Sequence, residues 1–160
     1  FYSMLVMEGA LEIGGGKVSQ PALESLLAEN MKNLAEYNYF TEISSGENVL
    51  SMLPPINATT QVIDNRLEMA FEIPLADPVS ADDIPLKYAI YDPTYYIEMV
   101  HVESDNAVTF NQSNTSCAAN IMQPQPDPEK LLYANSLDQS EQGYNGLGKF
   151  FAEAVTVTCG

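Results

Sequence analysis

The residues able to do chemistry are few and widely spaced. His101 is the only histidine, and Glu103 follows it two positions later in "VHVES". On a β-strand that spacing puts both side chains on one face. Imidazole and carboxylate together suit zinc or nickel, provided a neighbouring strand supplies a third ligand. The alternative is a hydrogen-bonded or surface histidine beside a solvated glutamate. A second group is "IYDPTYYIEMV", where Tyr91, Asp92, Tyr95 and Tyr96 cluster around Pro93. Tyrosines there would line a partner surface or pack at a sheet edge with their hydroxyls in water. Nucleophilic hydrolysis finds little support. No G-x-S-x-G stretch occurs, and Gly14-Gly15-Gly16 before Lys17 lacks the spaced first glycine and the Lys-Ser/Thr pair of a phosphate loop. The expectation is a protein that is not an enzyme.

Cys117 and Cys159 are the remaining reactive candidates. They form no C-x-x-C pair, and one histidine cannot help two distant cysteines build a zinc site. Both follow strand-like stretches. A disulfide tying the last strand to the body is the economical expectation, which implies an oxidising compartment. The alternative is two buried thiols in a cytosolic protein.

The elements that must position these groups begin with an amphipathic helix over about Pro21 to Tyr37. Ser19 caps it, and Leu23, Leu26, Leu27, Met31 and Leu34 form one apolar stripe. The period then shortens. Strands are expected near Thr41 to Ser44 and from Thr60 to Ile73, where Leu67, Met69, Phe71 and Ile73 alternate with Glu68, Ala70 and Glu72. Leu86, Tyr88 and Ile90 alternate, as do Tyr96, Glu98, Val100 and Val102. Asp92-Pro93-Thr94-Tyr95 suits the type I turn of a hairpin between them. More strands are expected at Ala107 to Phe110, Cys117 to Met122 and Ala154 to Cys159. Asp127-Pro128-Glu129 opens a second helix, and Gly146 to Glu153 a short third one. Asp77 to Asp83 is expected to be an acidic loop. The fold class is therefore α+β: an antiparallel β-sandwich, immunoglobulin-like, with an N-terminal amphipathic helix and two short C-terminal helices.

With 160 residues, one domain is expected. Acidic residues outnumber basic ones 22 to 6, for a formal charge of −16. Such a surface repels phosphate backbones and anionic lipids, so no nucleic-acid partner is expected. No apolar run reaches the roughly 18 residues that cross a bilayer, so no direct membrane insertion is expected. The chain opens on Phe1-Tyr2-Ser3-Met4-Leu5-Val6-Met7, without an initiator Met. That points to residues preceding Phe1.

"YDPTYYI", "NLAEYNYFT", the pair Cys117 and Cys159, and "GLGKFFAEAVTVTC" occur in this order. Together they resemble a bacterial periplasmic domain-of-unknown-function family, number one thousand and seven in its series. That family is often labelled an uncharacterised ABC-type transport system periplasmic component. The resemblance implies export to the periplasm. It also implies association with nickel, cobalt or zinc transport, with a membrane transporter component as partner and no certain cofactor beyond a weakly bound divalent transition metal. Family members carry a His-Pro-His stretch and a first hairpin before "FYS", so that hairpin is expected upstream of Phe1. Relatives often have an EF-hand-like loop where this chain reads "LEIGGGKVSQPA". With Gly16 as the loop glycine, Leu11, Ile13 and Gly15 replace the oxygen ligands and Ala22 the bidentate Glu. Calcium, which needs those hard oxygens, is not expected there.

Overall fold

A computed structural model of the chain describes residues 19–63, 66–79, 85–110, 116–138 and 140–160. Gly14 to Gly16, most of the EF-hand-like stretch and part of the acidic 77–83 loop lie outside them. The chain forms two compact units, one holding described residues 19–39 and 52–76, the other 40–51 and 77–160.

The first unit contains helix α1 (Gln20–Glu36). The Ser19 hydroxyl accepts from the Ala22 N–H at 3.4 Å, and a proline in the first turn has no donor to leave unpaired. Leu23 is buried and the rest of the expected stripe half-buried. The helix lies against β3 (Ile56–Ile63), which pairs antiparallel with β4 (Arg66–Glu72). Asn30 and Met69 are in contact at 3.7 Å. One strand over 60–73 was expected; the structure has a hairpin instead. On β4 the predicted alternation holds, with Leu67, Met69 and Phe71 turned inward and Glu68, Ala70 and Glu72 outward.

The second unit is built on a five-stranded antiparallel sheet of order β2-β1-β5-β7-β6. Its strands are β1 (Thr41–Ser45), β2 (Asn48–Val49), β5 (Leu86–Ile90), β6 (Cys117–Met122) and β7 (Ala154–Cys159). Val155, fully buried, stands opposite Tyr88 on one side and Ile121 on the other. Helix α2 (Pro128–Ser136) starts where the sequence places it, with the Asp127 carboxylate accepting from the Lys130 N–H at 2.9 Å and paired with its ammonium. The protein is thus α+β with antiparallel sheets. The division into five strands and two does not confirm an immunoglobulin-like sandwich.

Three expectations need correction. The third helix is only a 3-10 turn, Gly148–Phe150, and a further 3-10 turn covers Asn38–Phe40. Two glycines in "GLG" disfavour an α-helix there. Ala107 to Phe110 is not a strand. Nor does the hairpin between 86–90 and 96–102 form: β5 is flanked by β1 and β7, and residues 91–102 are irregular. No helix among the described residues is long and apolar enough to cross a membrane.

Candidate functional site

The Asp92-Pro93 turn is real, and it is a structural hub. The Tyr95 N–H donates to the Asp92 carbonyl at 3.0 Å, closing the turn. The Asp92 carboxylate, 5% exposed, accepts four bonds. Oδ1 takes the Thr94 N–H and hydroxyl, both at 2.8 Å, and Oδ2 takes the Tyr96 and Ile97 N–H groups, both at 3.1 Å. Tyr95 is left-handed, φ 55°. So many bonds to one side chain roll the backbone over instead of sending it back along β5, which is why no hairpin follows.

The turn docks on the loop before β7. The Gly146 N–H donates to the Pro93 carbonyl and the Gly143 N–H to the Thr94 carbonyl, each at 2.8 Å. A Cβ on Gly148 would sit 1.8 Å from the Asp92 carbonyl oxygen, so only glycine fits. Leu147 beside it is fully buried, and the Tyr95 ring stacks on Phe151 at 4.2 Å between centroids.

The tyrosines expected to face a partner therefore divide. Tyr91 points inward: its hydroxyl donates to Glu42 at 3.0 Å, and Lys149 holds the other Glu42 oxygen at 2.5 Å. Burial, and then the Glu42 carboxylate, push the Tyr91 phenol up to about 12. Burial, with Glu98 adding to it, also raises Tyr95. Only Tyr96 is open to solvent, at 53%.

His101 is not beside Glu103 on a strand. It lies in the irregular segment after the turn, and Glu103 is exposed. The partner of His101 is Glu153, at the entry to β7. One Glu153 oxygen lies 2.6 Å from both the backbone N and Nδ1 of His101; the other accepts from Gln123 Nε2 at 2.6 Å. Hydrogen bonding from the His101 backbone N–H, reinforced by the imidazole and Gln123, holds the Glu153 carboxyl below its ordinary value. An ionised carboxylate only accepts, so Nδ1 donates. Nε2 then faces the Tyr88 hydroxyl at 3.4 Å, and burial raises that phenol. The chain Tyr88–His101–Glu153–Gln123 orients one imidazole and fastens the irregular segment to the sheet.

Such an arrangement can hold a proton at a fixed place. It does not fit a metal: among the described residues no group of three His, Cys, Asp or Glu side chains is close enough to hold one. The sequence argument missed Glu153, Gln123 and Glu42. For Glu153 a signal existed, a lone acid inside the apolar run "FFAEAV".

The acid limb of stability tests this network. Glu153 has a depressed folded-state pKa, so its contribution is complete above the ordinary value of 4.5 and is lost as pH falls below it towards the folded value. Urea melts at descending pH are expected to show a shallower acid loss in Glu153→Gln than in the native chain. Equal slopes would mean the pairing does not operate in solution.

Cys117 and Cys159 are bonded, at directly opposed positions on β6 and β7. No solved structure matches the chain. A protein of Haemophilus influenzae described as uncharacterised is 30% identical over 139 residues, covering 85% of this chain and 67% of that protein. An uncharacterised 15.5 kDa protein in the trpE 3'region of Spirochaeta aurantia is 32% identical over 91 residues, 57% of this chain and 64% of that protein. The chain thus spans about two thirds of either relative. The family profile described as "Protein of unknown function (DUF1007)" matches residues 1–159, and the chain belongs to that family.

Proposed function

We propose that the protein is a non-catalytic accessory or solute-binding protein of the bacterial periplasm, associated with transition-metal transport of the nickel, cobalt or zinc class. The observation that carries this reading is the Cys117–Cys159 bond, since structural disulfides persist in oxidising compartments. The sequence resemblance to an ABC-type periplasmic component supplies the link to transport. The groups best suited to catalysis are already engaged: both cysteines are oxidised, and both ring nitrogens of His101 face protein partners. Among the described residues no metal site is assembled, so the proposed metal is not assigned to His101 and Glu103.

Fractionation with thiol labelling, followed by titration of the full mature protein with nickel, cobalt and zinc, tests both parts. The expected results are a periplasmic protein with oxidised cysteines and binding tighter than about 0.1 mM. Reduced cysteines in a cytosolic fraction would end the compartment assignment. The absence of binding at that level would end the metal role.

One observation favours a second reading, a β-sandwich interaction module that docks an envelope or transporter protein. Apolar side chains after the Asp92 turn face solvent, notably Tyr96, Val100 and Val102.

A further inference from the structure

Asn145 is the only asparagine of the chain that is followed by glycine, and the pair stands in the loop that receives the Asp92 turn. In an Asn-Gly pair the glycine nitrogen can attack the asparagine side-chain carbonyl, because glycine has no Cβ to hinder the approach. Asn145 is exposed, and a Cβ built on Gly146 would meet nothing within 4 Å, so the space for that attack is open.

The turn restrains the reaction. The attacking nitrogen is already committed, since its N–H donates to the Pro93 carbonyl at 2.8 Å. That bond must open before the nitrogen can lose its proton. The Pro93 carbonyl is in turn placed by the four bonds that end on the Asp92 carboxylate. The loop is seated at two further points. The Gly143 N–H donates to the Thr94 carbonyl at 2.8 Å, and Gly148 lies so close to the Asp92 carbonyl that a Cβ would fall 1.8 Å from its oxygen. These contacts at Gly143, Gly146 and Gly148 fix the length of backbone between them.

We propose that Asn145 is a self-modification site gated by the Asp92 turn, and that its conversion to isoaspartate acts as a one-way latch that keeps the loop from seating again. When Gly146 leaves Pro93, its nitrogen bonds to the Asn145 side-chain carbonyl carbon. The bond from that carbon to the amide nitrogen breaks, and ammonia departs with the proton that Gly146 gives up. Water then opens the cyclic imide. Attack at the side-chain carbonyl gives aspartate, and attack at the backbone carbonyl gives isoaspartate. Isoaspartate carries the main chain through its Cβ, which adds one carbon between Gly143 and Gly146. The three seats cannot then be met together. Water is the one co-reactant, and both products place a new negative charge at an exposed position. The proposal is independent of the metal and docking readings above.

The test ages the full, oxidised chain in mildly alkaline buffer beside its Asp92→Asn and Asp92→Ala variants and a free peptide of residues 142–149. Mass spectrometric peptide mapping follows ammonia loss and isoaspartate at position 145. The native chain is expected to react at least about tenfold more slowly than the peptide, because only the locally opened form is reactive. The Asn and Ala variants should rise in that order towards the peptide rate. Should the Ala variant fail to fold, the Asn variant carries the comparison. A native chain that reacts as fast as the peptide, or folded variants as slow as the native chain, would overturn the gate. The latch has its own control in Asn145→Asp, which adds the same charge on an ordinary backbone. That variant is expected to unfold in urea together with the native protein, and the isoaspartate form, separated by ion exchange, at lower urea. Coincident unfolding of the isoaspartate form and Asn145→Asp would overturn the latch.

Discussion

Protein carrying Cys117→Ser and Cys159→Ser is expected to be less stable than the oxidised chain by about 4 kcal/mol, by the loop-entropy relation for the separation of 42 residues. For a chain of this length that corresponds to a melting point lower by roughly 10 °C. The location of the bond explains why the effect should be large. Among the described residues strand β6 has β7 as its one ladder neighbour, and the disulfide joins the two at the first residue of β6 and the last of β7. The enclosed loop carries α2, the Gly143–Phe151 loop and Glu153. Reducing the native protein should reproduce the destabilisation, and a reductant should do nothing further to the double variant. The measurement is urea unfolding of both proteins with and without reductant. Native stability that does not change on full reduction would show that the strands need no clasp.

Asp92→Ala is expected to cost a similar amount, about 4 kcal/mol, for a different reason. Three backbone N–H groups and one hydroxyl end on that carboxylate inside a turn that is almost closed to water. Each buried donor left without a partner costs about 1–3 kcal/mol, moderated where water can enter. Asp92→Asn keeps one accepting oxygen and should lose about half as much, since its amide nitrogen cannot accept. The order native, Asn, Ala in chemical denaturation is therefore the expected result. An Ala variant within about 0.5 kcal/mol of native would mean that the turn is held by its backbone contacts to the Gly143–Phe151 loop instead. The two effects should be close to additive, because Asp92 lies outside the disulfide loop and shares no hydrogen bond with either cysteine.

The fold was legible wherever the decisive interaction is local. Ser19 and Asp127 cap their helices through bonds to residues three positions on, so residue type and spacing were enough to place both starts. Asp92 and Pro93 set their turn through neighbours at two to five positions. Strand β4 revealed its inner face because alternation repeats within the strand itself. Even the cysteine pair was readable, because a chain with two cysteines has only one internal pairing.

Tertiary structure decided everything that depends on which distant surface a side chain meets. His101 meets Glu153, 52 positions away, rather than Glu103 next door. Tyr91 finds Glu42, and β5 finds β1 and β7 instead of the segment that follows it. The apolar residues Tyr96, Val100 and Val102 carry the same two-residue period whether they face a core or solvent; a period tells that faces differ, not which one is covered. The buried hydrogen bonds of Asp92 and Glu153 made that choice here, anchoring the backbone so that His101 turns in and the valines turn out.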